Sequence, residues 1–249
     1  MHNVIVLTIG WTGSSVLSAL LSRGGLWAGD ATMKKVDYDT WENLELTELN
    51  KKLLVDAGIT IDYAREFSWR ALQQVASAVD RIDTTPYRAF AAKMAQHKPW
   101  IWKDPRLWVT IRFWQRLMSF DDVRFVWLTR DDMQSWISAN IRRQIITWSY
   151  CKAYNREVNA SIEAFLALDD LPYTKVSFED IVERPEATLD KLNAFLSMNL
   201  RMEDLQAVYT KPLRKRARGT RDFLLASAIH AKNYAERIDG SRRSSGAAA

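Results

Sequence analysis

The sequence predicts an α/β fold in which a parallel central sheet is flanked by helices. Three observations carry that prediction. The opening run Val4–Ile9 is β-branched, uncharged and of strand length, the composition of a strand buried on both faces. It gives way to a small polar turn, Thr12-Gly13-Ser14-Ser15, and then to Val16, Leu17, Leu20 and Leu21 at helical spacing. The same succession of strand, polar turn and helix recurs four times along the chain.

In chain order, Gly24-Gly25 and Gly29-Asp30 mark a loop that continues through Lys34-Lys35 to Thr40 as a polar, mobile segment. Glu42–Val55 carries leucines at a helical stripe, and Asp62–Val79 and Tyr87–Gln96 read as two more helices, with Pro86 placed for a helix start. These helices form an insertion that is long for a crossover between strands. The second strand is Trp100–Trp102, which ends in Lys103-Asp104-Pro105-Arg106 before a helix over Leu107–Leu117. The third, Val123–Thr129, ends at Arg130 before a helix over Met133–Ile146. A long amphipathic stretch, Thr147–Leu168, precedes the fourth strand, Tyr173–Phe178, which is followed by Glu179-Asp180 and a helix over Pro185–Phe195. A basic run from Lys211 to Arg221 leads to a final helix, Phe223–Arg237.

The length of 249 residues suits one domain, taken as 1–240, with a small polar tail at 241–249 expected to be disordered. Hydrophobic content of 47% and charged content of 26% are those of a soluble globule, and no apolar run is long enough to span a bilayer. The opening apolar run lacks a cationic flank and is broken by Gly10 and Trp11, which argues against a secretory signal. Cys151 is the only cysteine, so an intrachain disulfide is excluded and a cytoplasmic location is the natural expectation. His2, His97 and His230 have no ligand spacing to one another, so no metal is expected. A net charge of +5 suggests an anionic partner: a phosphorylated cofactor, a nucleic acid, or an anionic lipid or glycan.

Ligands of parallel sheets sit outside the carboxyl ends of the strands. There the sequence gathers the Thr12–Ser15 turn, Lys103, Asp104, Arg106, Arg130 and Glu179. A tight turn opening a helix leaves backbone N–H groups facing outward, an anion site suited to phosphate or sulfate; the same residues could equally be an ordinary turn with Ser or Thr caps. An ATPase or nucleotide-kinase loop is rejected, because Gly10 and Gly13 have the wrong spacing and no lysine follows Gly13.

Four segments in this order resemble the sulfotransferases that use 3′-phosphoadenosine-5′-phosphosulfate (PAPS). Thr8–Leu21 is similar to their 5′-phosphosulfate loop, and Trp102-Lys103-Asp104-Pro105-Arg106-Leu107 to the Lys-Asp-Pro-Arg element of many bacterial members. Arg130 with Ser138 resembles their 3′-phosphate motif, and Val176–Val182 with Pro185–Leu196 resembles a structural signature of the family. The resemblance spans about Val4 to Met198 and implies a P-loop-like sulfotransferase architecture with a helical insertion. It also implies PAPS as co-substrate, and an acceptor that is a small molecule, lipid or glycan, with no nucleic acid.

The roles it implies are specific. Thr12, Gly13, Ser14 and Ser15 would hold the 5′-phosphate, and Arg130 and Ser138 the 3′-phosphate. Arg130 could instead pair with Asp131 or Asp132. Arg214, Lys215, Arg216 and Gly219 resemble the basic, glycine-containing loop that closes on the 3′-phosphate, although such a run is also that of a solvated tail or a nucleic-acid patch. Sulfuryl transfer needs a cation at the leaving oxygen and a base for the acceptor hydroxyl. Where the family carries a loop Lys or Arg, this chain has Trp11. Lys103 is the candidate replacement, with Arg106, Lys34 and Lys35 as others; a helix-capping ion pair is the plainer reading of Lys103-Asp104-Arg106. Glu42 is the candidate base, its alternative being a first-turn carboxylate, and His97 is expected to be structural. The Trp11 substitution leaves open a member that binds the nucleotide without transfer, and the charge leaves open a nucleic-acid-binding protein.

Overall fold

The structure, a computed structural model, describes residues 1–36, 38–63, 66–142, 146–168, 170–211, 213 and 219–246, with 236–246 described as backbone only. The strands are β1 (Asn3–Leu7), β2 (Thr32–Lys34), β3 (Asp39–Asn43), β4 (Ile101–Lys103), β5 (Val123–Thr129) and β6 (Tyr173–Ser177). The helices are α1 (Ser14–Arg23), α2 (Leu44–Asp56), α3 (Trp69–Ala76), α4 (Thr85–Gln96), α5 (Leu107–Gln115) and α6 (Asp132–Ile141). They continue with α7 (Trp148–Leu168), α8 (Phe178–Glu183), α9 (Pro185–Leu196), α10 (Met202–Val208) and α11 (Thr220–Gly246).

Four strands form a wholly parallel sheet in the order β4-β1-β5-β6. β1 is central, with Val6 opposite Lys103 on one side and Val126 on the other. All five of its residues are buried. Because alternate side chains of a strand leave on opposite faces, Ile5 and Leu7 enter one core, packed by α2, α4, α5 and α7, while Val4 and Val6 enter a second, packed by α1, α8 and α9. Fully burying a side chain of this kind stabilises the fold by roughly 1.5–3 kcal/mol, which is why the uncharged run reads as a two-sided strand. Six of the eleven tryptophans are buried: Trp100, Trp102, Trp108, Trp114, Trp127 and Trp136. Trp114 still satisfies its indole N–H, which donates to Asn50 Oδ1 at 2.9 Å.

Several boundaries differ from expectation, and one difference bears on function. The segment after Gly29 is not a mobile loop but an antiparallel hairpin of β2 and β3. Glu42 is therefore a strand residue, and α2 begins only at Leu44, where the Asn43 side chain accepts from Leu46 N at 3.1 Å. The hairpin is pinned from within: Asp39 Oδ1 accepts Trp41 N at 2.7 Å, Asp39 Oδ2 accepts the Thr32 hydroxyl at 2.6 Å, and the Thr40 hydroxyl donates to the Met33 carbonyl at 2.7 Å. Trp41 takes a left-handed backbone, φ 56°, within β3, where the pairing with β2 shifts register. The helix expected from Asp62 starts at Trp69, because Ser68 caps it. α6 ends at Ile141 instead of Ile146, and α11 runs past Arg237 to Gly246, into the segment expected to be tail.

Candidate functional site

The carboxyl ends of the strands open onto one cleft of about 1160 Å³. At its centre is the turn between β1 and α1. The Thr8 hydroxyl donates to the Leu128 carbonyl at 2.9 Å, tying the end of β1 to β5, and the Thr12 hydroxyl lies 2.6 Å from that of Thr8. Thr12 is thus buried with its hydroxyl turned into the protein, away from the role expected for it. Gly13 has φ 80° and a Cβ there would collide with the Phe178 ring, so both backbone and space require glycine. Gly13 is the N-cap of α1, no side chain caps it, and Gly13, Ser14 and Ser15 border the cleft. A turn with Ser or Thr caps is therefore not what forms; the positive end of α1 is left facing the cavity.

Arg130 follows β5 and borders the same cleft, with its side chain 6% exposed. Its Nη1 donates to the Trp11 carbonyl at 2.8 Å, and the guanidinium stacks over the Phe178 ring at 4.6 Å. Its Nε lies 3.8 Å from Glu179 Oε1, while Glu179 Oε2 accepts Asp131 N at 3.2 Å. Burial pushes the Glu179 carboxyl above its ordinary range. The neighbouring acids have other work: Asp131 caps α6 through Gln134 N, and Asp132 accepts from Asn155. Ser138 lies on α6 beside the cleft, and its buried hydroxyl has no hydrogen-bond partner among the described residues.

On the other side of the turn, β4 delivers Lys103 and the hairpin delivers Glu42. Lys103 Nζ donates to Glu42 Oε1 at 2.5 Å, and the Thr40 carbonyl is 3.4 Å away. The two side chains are 4% and 11% exposed. Asp104 is fully buried and fixes Arg106: Asp104 Oδ1 accepts both the backbone N and Nη1 of Arg106, each at 2.9 Å, and Asp104 Oδ2 accepts Asn50 Nδ2 at 2.9 Å. The Arg106 guanidinium lies 4.7 Å over the Tyr63 ring. An ion pair does form just before α5, but between Asp104 and Arg106, and no side chain caps the helix; Lys103 belongs to Glu42.

Of the residues singled out in the sequence, Gly13, Ser14, Ser15, Arg130 and Ser138 border the cleft on one side of the turn, and Glu42, Lys103 and Arg106 border it with them. Lys35 also borders it, and Lys34 stands exposed at the end of β2. His97 stacks on Trp27 at 4.2 Å, at the end of α4. Gly219 opens α11, where its N–H donates to Asp222 at 3.1 Å. Arg214, Lys215 and Arg216 lie outside the described residues. Sequence reasoning missed Tyr38, which meets Arg142 through a 2.7 Å hydrogen bond and a 4.8 Å guanidinium–ring contact, and missed Tyr63 and Tyr154, whose hydroxyl donates to the Tyr63 carbonyl at 2.7 Å. Their signal was the unbroken supply of aromatics in segments that carry no motif.

Among the described residues no helix is long and apolar enough to cross a membrane. A family model described as "Sulfotransferase family" matches residues 4–204. Among solved structures the chain is similar to one described as "Sulfotransferase Domain from the Curacin Biosynthetic Pathway". The TM-score is 0.53 at 15% identity, covering 89% of this chain and 82% of that one, so the likeness is one of fold. Comparison with curated proteins gave no match.

Proposed function

The chain belongs to the sulfotransferase family, and from that premise we propose that it moves a sulfuryl group from PAPS to a hydroxyl or amine of an acceptor. The observation that carries the proposal is the buried Lys103–Glu42 pair, set in the same cleft as the uncapped end of α1 and Arg130. When bound, PAPS supplies the sulfuryl group on a phosphate leaving group. The rest falls to the chain.

The donor set fits such a molecule at both of its anionic ends. The amides of Gly13, Ser14 and Ser15, at the positive pole of α1, suit the 5′ end. Arg130 offers a planar fork to the 3′-phosphate, and the Ser138 hydroxyl, which has no partner among the described residues, offers a donor beside it. Lys103 Nζ is the cation for charge that develops on the departing oxygen, in place of the loop cation that Trp11 displaces. Glu42, held in place by its hydrogen bond from Lys103, takes the acceptor's proton. Arg106, held by Asp104 and Tyr63, supplies a second positive group to the wall.

The test has two stages. Adenosine 3′,5′-bisphosphate is expected to raise the melting temperature, and labelled sulfate is expected to pass from PAPS to members of an acceptor panel. Protection without transfer would favour the nucleotide-binding reading that Trp11 raises, and no protection would refute the donor assignment.

A further inference from the structure

Helix α2 faces the core with Leu46, Leu53 and Leu54, and among them, on the same face, it carries Asn50. The amide is fully buried. Such a group is unfavourable among leucines unless its polar atoms find partners. Both do. The indole N–H of Trp114, on α5, donates to Asn50 Oδ1 at 2.9 Å, and Asn50 Nδ2 donates to Asp104 Oδ2 at 2.9 Å. An indole N–H only donates and a carboxylate only accepts, so these two neighbours allow the amide one orientation.

The carboxylate that Asn50 meets is the one that holds Arg106. Asp104 Oδ1 accepts both the backbone N and Nη1 of Arg106, which leaves Oδ2 to Asn50. Without the amide, Oδ2 is an unpaired anionic oxygen in a fully buried side chain. The carboxylate then gains by turning about Cβ–Cγ to find another donor, and that rotation carries the guanidinium with it. Arg106 borders the cleft, lies over the Tyr63 ring at 4.7 Å, and has a buried Nε with no hydrogen-bond partner among the described residues. A donor so placed serves a reacting group only while its direction is fixed.

We propose that Asn50 is a positioning residue for the transfer: oriented by the Trp114 indole, it locks the Asp104 carboxylate, which in turn holds the Arg106 guanidinium toward the cleft. The proposal rests on the sulfotransferase reading above, in which Arg106 is a positive group of the wall. Asn50 itself does not border the cleft and touches neither substrate. Packing alone gives no reason for the amide, since a leucine at position 50 would complete the apolar face of α2.

Asn50→Leu, Asn50→Asp and Trp114→Phe, made in the full chain, test it with two readouts. One is transfer of labelled sulfate from PAPS to the best acceptor of the panel. The other is the Arg106 Nε–H signal in heteronuclear NMR, assigned by its loss in Arg106→Lys. Asn50→Leu is expected to lower kcat about 10- to 100-fold at an unchanged bisphosphate affinity, and to shift the Arg106 signal. Trp114→Phe frees the amide to turn and should cost less. Asn50→Asp still accepts from the indole but sets a second carboxyl against Asp104, and two such groups share one proton. While bound, that proton bridges to Oδ2 in place of the amide; once it leaves, like charges drive the carboxylates apart. The kcat of Asn50→Asp relative to wild type should therefore fall about 10-fold or more as pH rises, with the Arg106 signal moving over the same range. The other ionisable groups nearby, Tyr63, Asp62 and the Glu42–Lys103 pair, are common to both proteins. Asn50→Asp at low pH keeps the test open if Asn50→Leu does not fold. A ratio flat in pH, or an Arg106 signal that stays at its wild-type position in Asn50→Leu and Asn50→Asp, would overturn the proposal. If wild type transfers no sulfate to any acceptor, the sulfotransferase reading fails instead, and the NMR titration alone decides whether Asn50 holds Arg106.

Discussion

Replacing Lys103 by methionine strands the carboxylate of Glu42 in a site where that side chain is 11% exposed. At 2.5 Å and an effective dielectric of about 20, the attraction between the pair is about 6–7 kcal/mol. Desolvating two ions costs several kcal/mol each, so the intact pair contributes little net stability. Breaking it from one side is different, because the remaining ion keeps its desolvation cost and loses its partner, for a loss of about 3–5 kcal/mol. In a chain of this size that lowers the melting temperature by about 6–20 °C. Glu42→Gln removes the countercharge but keeps an amide oxygen that can accept from the ammonium, beside the Thr40 carbonyl at 3.4 Å, and is expected to cost less than Lys103→Met. The double variant Lys103→Met/Glu42→Gln removes both charges and should recover much of the loss, giving a coupling energy of about 2 kcal/mol or more. Urea unfolding of the four proteins measures the cycle. If the single costs sum to the double within about 0.5 kcal/mol, the two groups do not interact and the proposed cation–base pair is wrong.

Three further outcomes are expected. Arg130→Gln should weaken adenosine 3′,5′-bisphosphate binding about 10- to 100-fold by calorimetry, the worth of a charge-assisted contact, and an unchanged affinity would remove Arg130 from the site. Gly13→Ala must force a Cβ against the Phe178 ring at φ 80°, so it should destabilise by about 2 kcal/mol or more; an unfolding midpoint equal to wild type would contradict the turn geometry. Burial raises the Glu179 carboxyl, so the folded protein holds its proton more tightly than the unfolded chain does. The stability this gives is complete below the ordinary glutamate value of about 4.3 and is lost as pH rises through the higher folded value. Urea midpoints of wild type should therefore fall relative to Glu179→Gln as pH increases through the mildly acidic range, and a constant gap would refute the shift.

The strands were legible because burial on two faces demands an uncharged run, and Val4–Ile9 and Val123–Thr129 have no other plausible use. Arg130 and Ser138 were singled out by their resemblance to the family's 3′-phosphate motif, and both border the cleft. The hairpin was not legible. Its strands are short, they are held by Asp39, Thr32 and Thr40 through bonds that no periodicity reports, and Lys34-Lys35 at its tip reads as loop. Glu42 was thus picked out on the wrong element, at the start of a helix instead of in a strand. Its meeting with Lys103 joins residues 61 positions apart in sequence, which no local pattern encodes. Thr12 shows the converse failure, since a hydroxyl in a Ser/Thr-rich turn gives no sign in sequence of which side it faces.

The hairpin brings Glu42 to the cleft from outside the parallel sheet, on an excursion stitched together by its own side chains. Donor recognition, as proposed, is inscribed in the strand ends and cannot drift without loss of the fold. The carboxylate and the residues around it travel as a cassette. Exchanging residues 32–43 with those of a relative is then a direct way to re-specify the acceptor while the nucleotide grip stays as it is.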